Sequence, residues 1–144
     1  MSTLTLHAPA KLNLSLRVLG KREDGFHEID TTMVKLPGLA DRIEFTEIGG
    51  FSFSCDNPGV PDGEENLVVK AVRAYEAAAG VTCKCSIRLH KLIPHGAGLG
   101  GGSSDATTTL IGLDQLHGDR LGPAKLHEVA ASLGSDGPFF LSPT

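Results

Sequence analysis

Five of the seven residues from Gly96 to Gly102 are glycine, and Ser103, Ser104 and Asp105 follow before a run of helical spacing begins. Such a stretch is suited to holding an anion. Glycines let backbone amides approach a ligand closely, and the first turn of a helix presents unpaired N–H donors at the positive end of its dipole. Three readings of the segment compete. Gly96, Gly98 and Gly101 match the G-x-G-x-x-G spacing of a dinucleotide fold between a predicted strand and a predicted helix. Against this, Pro94 and His95 separate strand from loop, and no strand ending in an acidic residue follows at the required distance. A phosphate loop of the form G-x-x-x-x-G-K-[ST] is excluded, because no lysine follows any of these glycines. The third reading is a Gly/Ser loop that cradles the phosphates of ATP with amides and hydroxyls. A ligand-free connection this rich in glycine is disfavoured, since each glycine adds chain entropy that folding must remove.

The elements that must position this segment follow from periodicity. Thr3 to Ala8 alternates as a half-buried strand, Pro9 interrupts it, and Leu12, Leu14, Leu16 and Val18 resume the alternation with Lys11, Asn13, Ser15 and Arg17 on the other face. Residues 20–25 read as a turn, 28–36 and 41–48 as two strands separated by Pro37-Gly38, and 51–55 as a short strand before a surface loop. Asn66 is placed to cap a helix with Leu67, Ala71, Ala74 and Ala78 on one face, and Gly80 to end it. Cys83, Cys85, Ile87 and Leu89 share one face of a strand that runs into Pro94. Ser103 or Ser104 is expected to cap the next helix, with Ala106, Leu110, Leu113 and His117 on one face. Pro123 suits the first turn of a third helix, with Leu126, Val129, Ala130 and Leu133 inward and Gly134 closing it. Strands early and helices late predict one α+β domain with a mixed or antiparallel sheet, not a doubly wound parallel one.

With 144 residues, 40% of them hydrophobic, the chain can bury one sizeable core. Its net charge of −4 argues against a nucleic-acid partner held by phosphate neutralisation. No apolar run reaches the length of a membrane span, and the N-terminal residues lack the basic start and apolar block of a signal peptide. Cys55, Cys83 and Cys85 have no zinc spacing and read as thiols, the latter two buried, in a reducing compartment, so a cytoplasmic location is expected.

The stretch Pro94–Leu110, PHGAGLGGGSSDATTTL, resembles the phosphate-binding motif of the galactokinase, homoserine kinase, mevalonate kinase and phosphomevalonate kinase (GHMP) superfamily. Residues 8–33 resemble the family's amino-terminal segment, and 133–141, LGSDGPFFL, its catalytic aspartate segment. The triple glycine followed by Ser-Ser-Asp-Ala points to the branch that acts on 4-diphosphocytidyl-2-C-methyl-D-erythritol. The resemblance implies a GHMP kinase amino-terminal domain over residues 1–144 and ATP-dependent phosphorylation of that small molecule's 2-hydroxyl in nonmevalonate isoprenoid synthesis. ATP is then the co-substrate and Mg2+ is expected with it; metal ligands and oligomeric state are not implied.

By the same resemblance Asp136, otherwise an ordinary turn residue, accepts the hydroxyl proton, and Lys11, otherwise a solvated strand lysine, sits beside it. Gly96, Gly98, Leu99, Gly100, Gly101, Gly102, Ser103 and Ser104, with Pro94 leading in, surround the triphosphate, and Asn66 and Leu67 border the adenine. Asp105 stabilises the helix start. Asn13 holds substrate polar groups, Phe26 stacks on the cytosine ring where many members carry Tyr, and His27 hydrogen-bonds its edge. Gly137 stands where a β-branched residue is common, so a looser catalytic turn is expected. Family members are about twice as long, with a second domain after the aspartate segment, so a carboxy-terminal domain is expected to be absent here. Two other classes stay open: a nucleotide-binding module without transfer, and a purely structural domain.

Overall fold

The computed structural model describes residues 3–21, 27–61, 63–94, 100–134 and 136–141, with the backbone alone at 13–21 and 27–32. The chain orders as β1 (Thr3–Lys21), β2 (His27–Glu47), β3 (Ser52–Cys55), α1 (Leu67–Ala79), β4 (Cys85–His90), α2 (Gly101–Leu116), α3 (Gly122–Leu133) and α4 (Gly137–Leu141). The four described strands form one mixed sheet in the order β1-β2-β4-β3, antiparallel except for the β3–β4 pair. The α+β expectation is met.

Two expected breaks in the strands are absent. Pro9 does not end the first strand, and Pro37-Gly38 does not divide the second. Instead Pro9 pairs opposite Ala40 and Ala10 opposite Leu36, so residues 37–39 are passed over within one continuous β1–β2 pairing. Prolines lack the N–H a ladder requires, and an irregularity is where a long pair accommodates them. The expected turn at 20–25 lies largely outside the described residues.

β4 alternates as its sequence predicts: Cys85, Ile87 and Leu89 are buried, while Arg88 between them is exposed. With Ile43 and Phe45 of β2 they meet α1, α2 and α3 in a single core that includes Val68, Val72, Tyr75, Leu110, Leu113 and Val129. α1 starts where Asn66 accepts the Val68 amide at 2.8 Å, and it ends at Gly80, whose left-handed φ of 68° favours glycine. Its buried face is turned from the predicted one: Val68, Ala71, Val72 and Tyr75 are interior, and Leu67, Ala74 and Ala78 only flank the core. Ala106, Leu110 and Leu113 of α2 are buried as expected, with His117 at the margin.

Neither serine caps α2. The helix begins at Gly101 with Gly100 as its N-cap, and Ser103 and Ser104 lie inside the first turn. α3 carries Pro123 in its first turn and ends at Gly134, which is extended at φ 169°. Tyr75 donates to Asp114 Oδ1 at 2.8 Å, and Asp114 also accepts the amides of Leu121 and Gly122 at 2.9 and 3.2 Å. This buried carboxylate joins α1, the end of α2 and the start of α3. Burial, then the Asp114 carboxylate, push the Tyr75 phenol above its ordinary range.

Candidate phosphoryl-transfer site

The start of α2 lies against the middle of β1, at Lys11. Gly100 has φ 70°, a left-handed turn that a side chain would resist. A Cβ there would also meet Lys11 Cγ at 2.7 Å and Phe140 Cζ at 3.1 Å. The Lys11 stem therefore lies directly on the Gly100 backbone, with α4 behind it. Its ammonium reaches 3.5 Å from Asp136 Oδ2, the two side chains 12% and 30% exposed. The sequence-nominated pair, 125 positions apart in the chain, is thus brought together beside the first turn of α2.

The first bond of that helix runs from Ser104 N to Gly100 O at 2.9 Å, so the amides of Gly101, Gly102 and Ser103 stand ahead of the intrahelical ladder. Ser104 is buried, and among the described residues its hydroxyl has no hydrogen-bond partner. A hydroxyl in that state is a donor waiting for an acceptor. The Ser103 hydroxyl packs against Gly134, 3.3 Å from where a Cβ would sit. The turn at Asp136 is not loose. Gly137 is buried, a Cβ there would overlap the Ala130 carbonyl, and its own carbonyl accepts from Thr107 at 3.3 Å.

Asn66 and Leu67 line a cavity of about 110 Å³ with Val60, Pro61, Gly102, Lys91 and Asp105. Asn66 accepts from the Val68 amide and donates one of its two side-chain N–H groups to Pro61 O at 2.6 Å, which fixes its side chain in the wall. Leu67 reaches 3.0 Å from the Cβ position of Gly102. A larger cavity of about 280 Å³ lies at the opposite end of β4, against Cys85 and His117, away from these groups. Pro94 is exposed at the end of the chain leading into the glycines. Gly96, Gly98, Leu99 and Phe26 lie outside the described residues. Asn13 pairs with Met33, and His27 pairs with Lys21, ten positions along β1 from Lys11.

Two residues, Lys91 and Asp41, escaped the sequence reading of this site, and a third, Asp105, was given a different role. Lys91, at the end of β4, donates to Asp41 Oδ2 at 2.6 Å and to Asp105 Oδ2 at 2.9 Å, with all three side chains at most 4% exposed. Asp105 therefore does not serve as a first-turn acid of α2; it turns inward onto Lys91. Burial, reinforced by the neighbouring Asp41, pushes the Asp105 carboxyl well above the usual range, against the pull of Lys91. Burial would raise Asp41 too, but hydrogen bonds from Asp105, Ile93, Lys91 and Leu92 outweigh it and hold this carboxyl low. Burial likewise disfavours the Lys91 ammonium, and the two aspartates more than compensate, so its value is raised. The only sequence signal was a lysine five positions before Gly96, which reads equally well as a strand-end lysine.

Residues 66–142 match the family model for the GHMP kinases N terminal domain. The chain is 46% identical over 140 residues to the 4-diphosphocytidyl-2-C-methyl-D-erythritol kinase of Pelotomaculum thermopropionicum, covering 96% of this chain and 48% of that one. It is 45% identical to the enzyme of the same name from a Geobacter species, covering 98% and 51%. A crystal structure of 4-(cytidine 5'-diphospho)-2C-methyl-D-erythritol kinase superposes with a TM-score of 0.78 at 42% identity, over 96% of this chain and 48% of that one. Homoserine kinase from Cytophaga hutchinsonii shares the fold at a TM-score of 0.68 and 21% identity, over 91% and 40%. The chain spans about half the length of the curated relatives it matches.

Proposed function

This chain belongs to the GHMP kinase family, whose N-terminal domain it carries, and on that premise we propose that it binds ATP with Mg2+ and serves phosphoryl transfer to the 2-hydroxyl of 4-diphosphocytidyl-2-C-methyl-D-erythritol. The observation that carries the reading is the Lys11–Asp136 pair, 3.5 Å apart, set beside the open first turn of α2. The amides of Gly101, Gly102 and Ser103, the orphaned Ser104 hydroxyl and the glycines from Gly96 to Gly100 with Leu99 receive the triphosphate. Pro94 directs the chain into that segment, and Asn66 and Leu67 flank the adenine. Asn13, Phe26 and His27 take the substrate, the latter two its cytosine.

In the reaction the substrate hydroxyl attacks the γ-phosphorus. The new O–P bond forms as the bond to the β-phosphate oxygen breaks, and ADP leaves. The hydroxyl proton passes to the Asp136 carboxylate. The Lys11 ammonium, its stem fixed on Gly100, keeps that carboxylate oriented and offsets charge on the transferring group. Among the described residues no group of three or more His, Cys, Asp or Glu side chains is arranged to hold a metal. Ser104 and Asp136 would supply oxygen donors to an Mg2+ ion bound with the nucleotide, and the ion would neutralise phosphate charge.

The test is formation of ADP and phosphorylated product, followed by phosphorus NMR, with this 144-residue chain and its Asp136→Asn variant. Transfer is expected from the parent, and a drop of about 10²–10⁴-fold in the variant with ATP affinity retained. Transfer undiminished in Asp136→Asn would remove the aspartate from its role. Binding of Mg·ATP without transfer by the parent would reduce the reading to a nucleotide-binding module.

A further inference from the structure

Lys91 and Asp105 stand on opposite flanks of the glycine-rich segment, one at the end of β4 and one inside α2. The Lys91 ammonium donates to both Asp105 and Asp41. Asp41 Oδ1 in turn accepts the amides of Leu92 and Ile93 at 2.6 and 2.8 Å. A Cβ on Gly101 would lie 3.2 Å from Lys91 Nζ, so the ammonium sits directly under the start of the helix. One buried cation thus ties together β2, the chain entering the glycine segment and the helix leaving it.

Stability alone is a poor reason for such a cluster, because removing three ionisable groups from water costs about as much as their pairing returns. Fixing one geometry is the better-attested use of buried ionic groups. Resting on the nucleotide reading above, we infer that Asp41, Lys91 and Asp105 form a clasp that holds the two flanks of the glycine segment at the separation the nucleotide's phosphates require. Lys91 is then a positioning residue: it acts through the backbone it anchors and does not itself touch phosphate.

The charge arrangement agrees with this role. Two ionised carboxylates on one ammonium would leave a buried net negative charge beneath an anion site. The raised Asp105 carboxyl favours a proton at this position, and with that proton the clasp is neutral beneath the anion site. An asparagine at 105 reproduces this state, with its carbonyl accepting from Lys91 and its amide donating to Asp41.

The experiment measures the affinities of Mg·ATP and of adenosine for the parent chain, Asp105→Asn and Asp105→Ala. Asp105→Asn is expected to bind ATP within about threefold of the parent. Asp105→Ala is expected to weaken ATP by about tenfold or more and adenosine by a clearly smaller factor, since Asp105 also lines the cavity beside Asn66 and Leu67, with faster amide exchange at 92–93 and 101–104 but not in α1. A clasp-free chain that keeps its fold guards against a merely unfolded variant: Asp41→Asn with Lys91→Met and Asp105→Leu replaces the ions by groups of similar size. It too is expected to lose ATP affinity selectively. ATP affinity unchanged in the clasp-free chain, or ATP and adenosine weakened by the same factor, would overturn the clasp and leave the nucleotide reading standing. A parent chain that binds no ATP would overturn both.

Discussion

At the scale of single residues, environment separates two carboxyls of the proposed site. Asp136, the proposed proton acceptor, is 30% exposed and paired with Lys11, whereas burial and the neighbouring Asp41 raise the Asp105 carboxyl well above its usual range. The raised value has a consequence for pH. A carboxyl whose folded value lies above its unfolded value near 3.9 favours folding fully below that value and loses the contribution as pH rises through the folded one. Asp41 and Lys91 act in the other windows: Asp41 withdraws stability only as pH falls below the usual carboxylate range, and Lys91 only above the usual lysine range. Asp105→Asn therefore gains in melting temperature relative to the parent as pH rises from the usual carboxylate range through the raised Asp105 value. Thermal melts across that span check it, and a constant difference would mean Asp105 does not hold the proton. Lys11 and Asp136 were legible because each sits in a local motif. Lys91 was not, because its partner Asp41 lies 50 positions away and only the β2–β4 pairing brings them together.

Among the elements, caps and helix ends were legible where one residue decides them. Asn66 and Gly80 bound α1 because an Asx oxygen and a left-handed glycine act within a few residues. The α2 start was misread for the same local reason: two serines look like caps, but the Lys11 stem and Phe140 leave room only for a glycine at the turn, and Gly100 takes the cap. Packing between elements likewise makes a prediction at Gly112. A Cβ there would overlap the Phe45 ring, which is 0% exposed and cannot swing away. Gly112→Ala is expected to destabilise the fold by about 1–3 kcal/mol in spite of alanine's better helix propensity, as read by urea denaturation. Equal or greater stability would mean that α2 can move off the sheet.

For the molecule as a whole, one sheet face and three helices enclose the core, and the thiols report on its closure. Cys83 is pushed up to about 12, first by burial and then by the nearby Cys85; Cys85 to about 11, by burial; Cys55 is raised as well. At about pH 8 a disulfide reagent is therefore expected to titrate at most one of the three thiols in the native chain, the half-buried Cys55, and all three after unfolding. Rapid native reaction of Cys83 or Cys85 would show that the core opens.

The sequence by itself determined the α+β class and the alternation that buries Cys85, Ile87 and Leu89, because each follows from patterning along short stretches of chain; the residues nominated for the chemistry came from a resemblance to family motifs. Only the tertiary structure decided the rest: the sheet order with its parallel edge pair, the continuous β1–β2 pairing across Pro9 and Pro37, the seat of Lys11 on Gly100, and the burial of Lys91 between two aspartates. Each of these sets a group against a partner far away in the chain, and a side chain's conformation and charge state follow from what surrounds it.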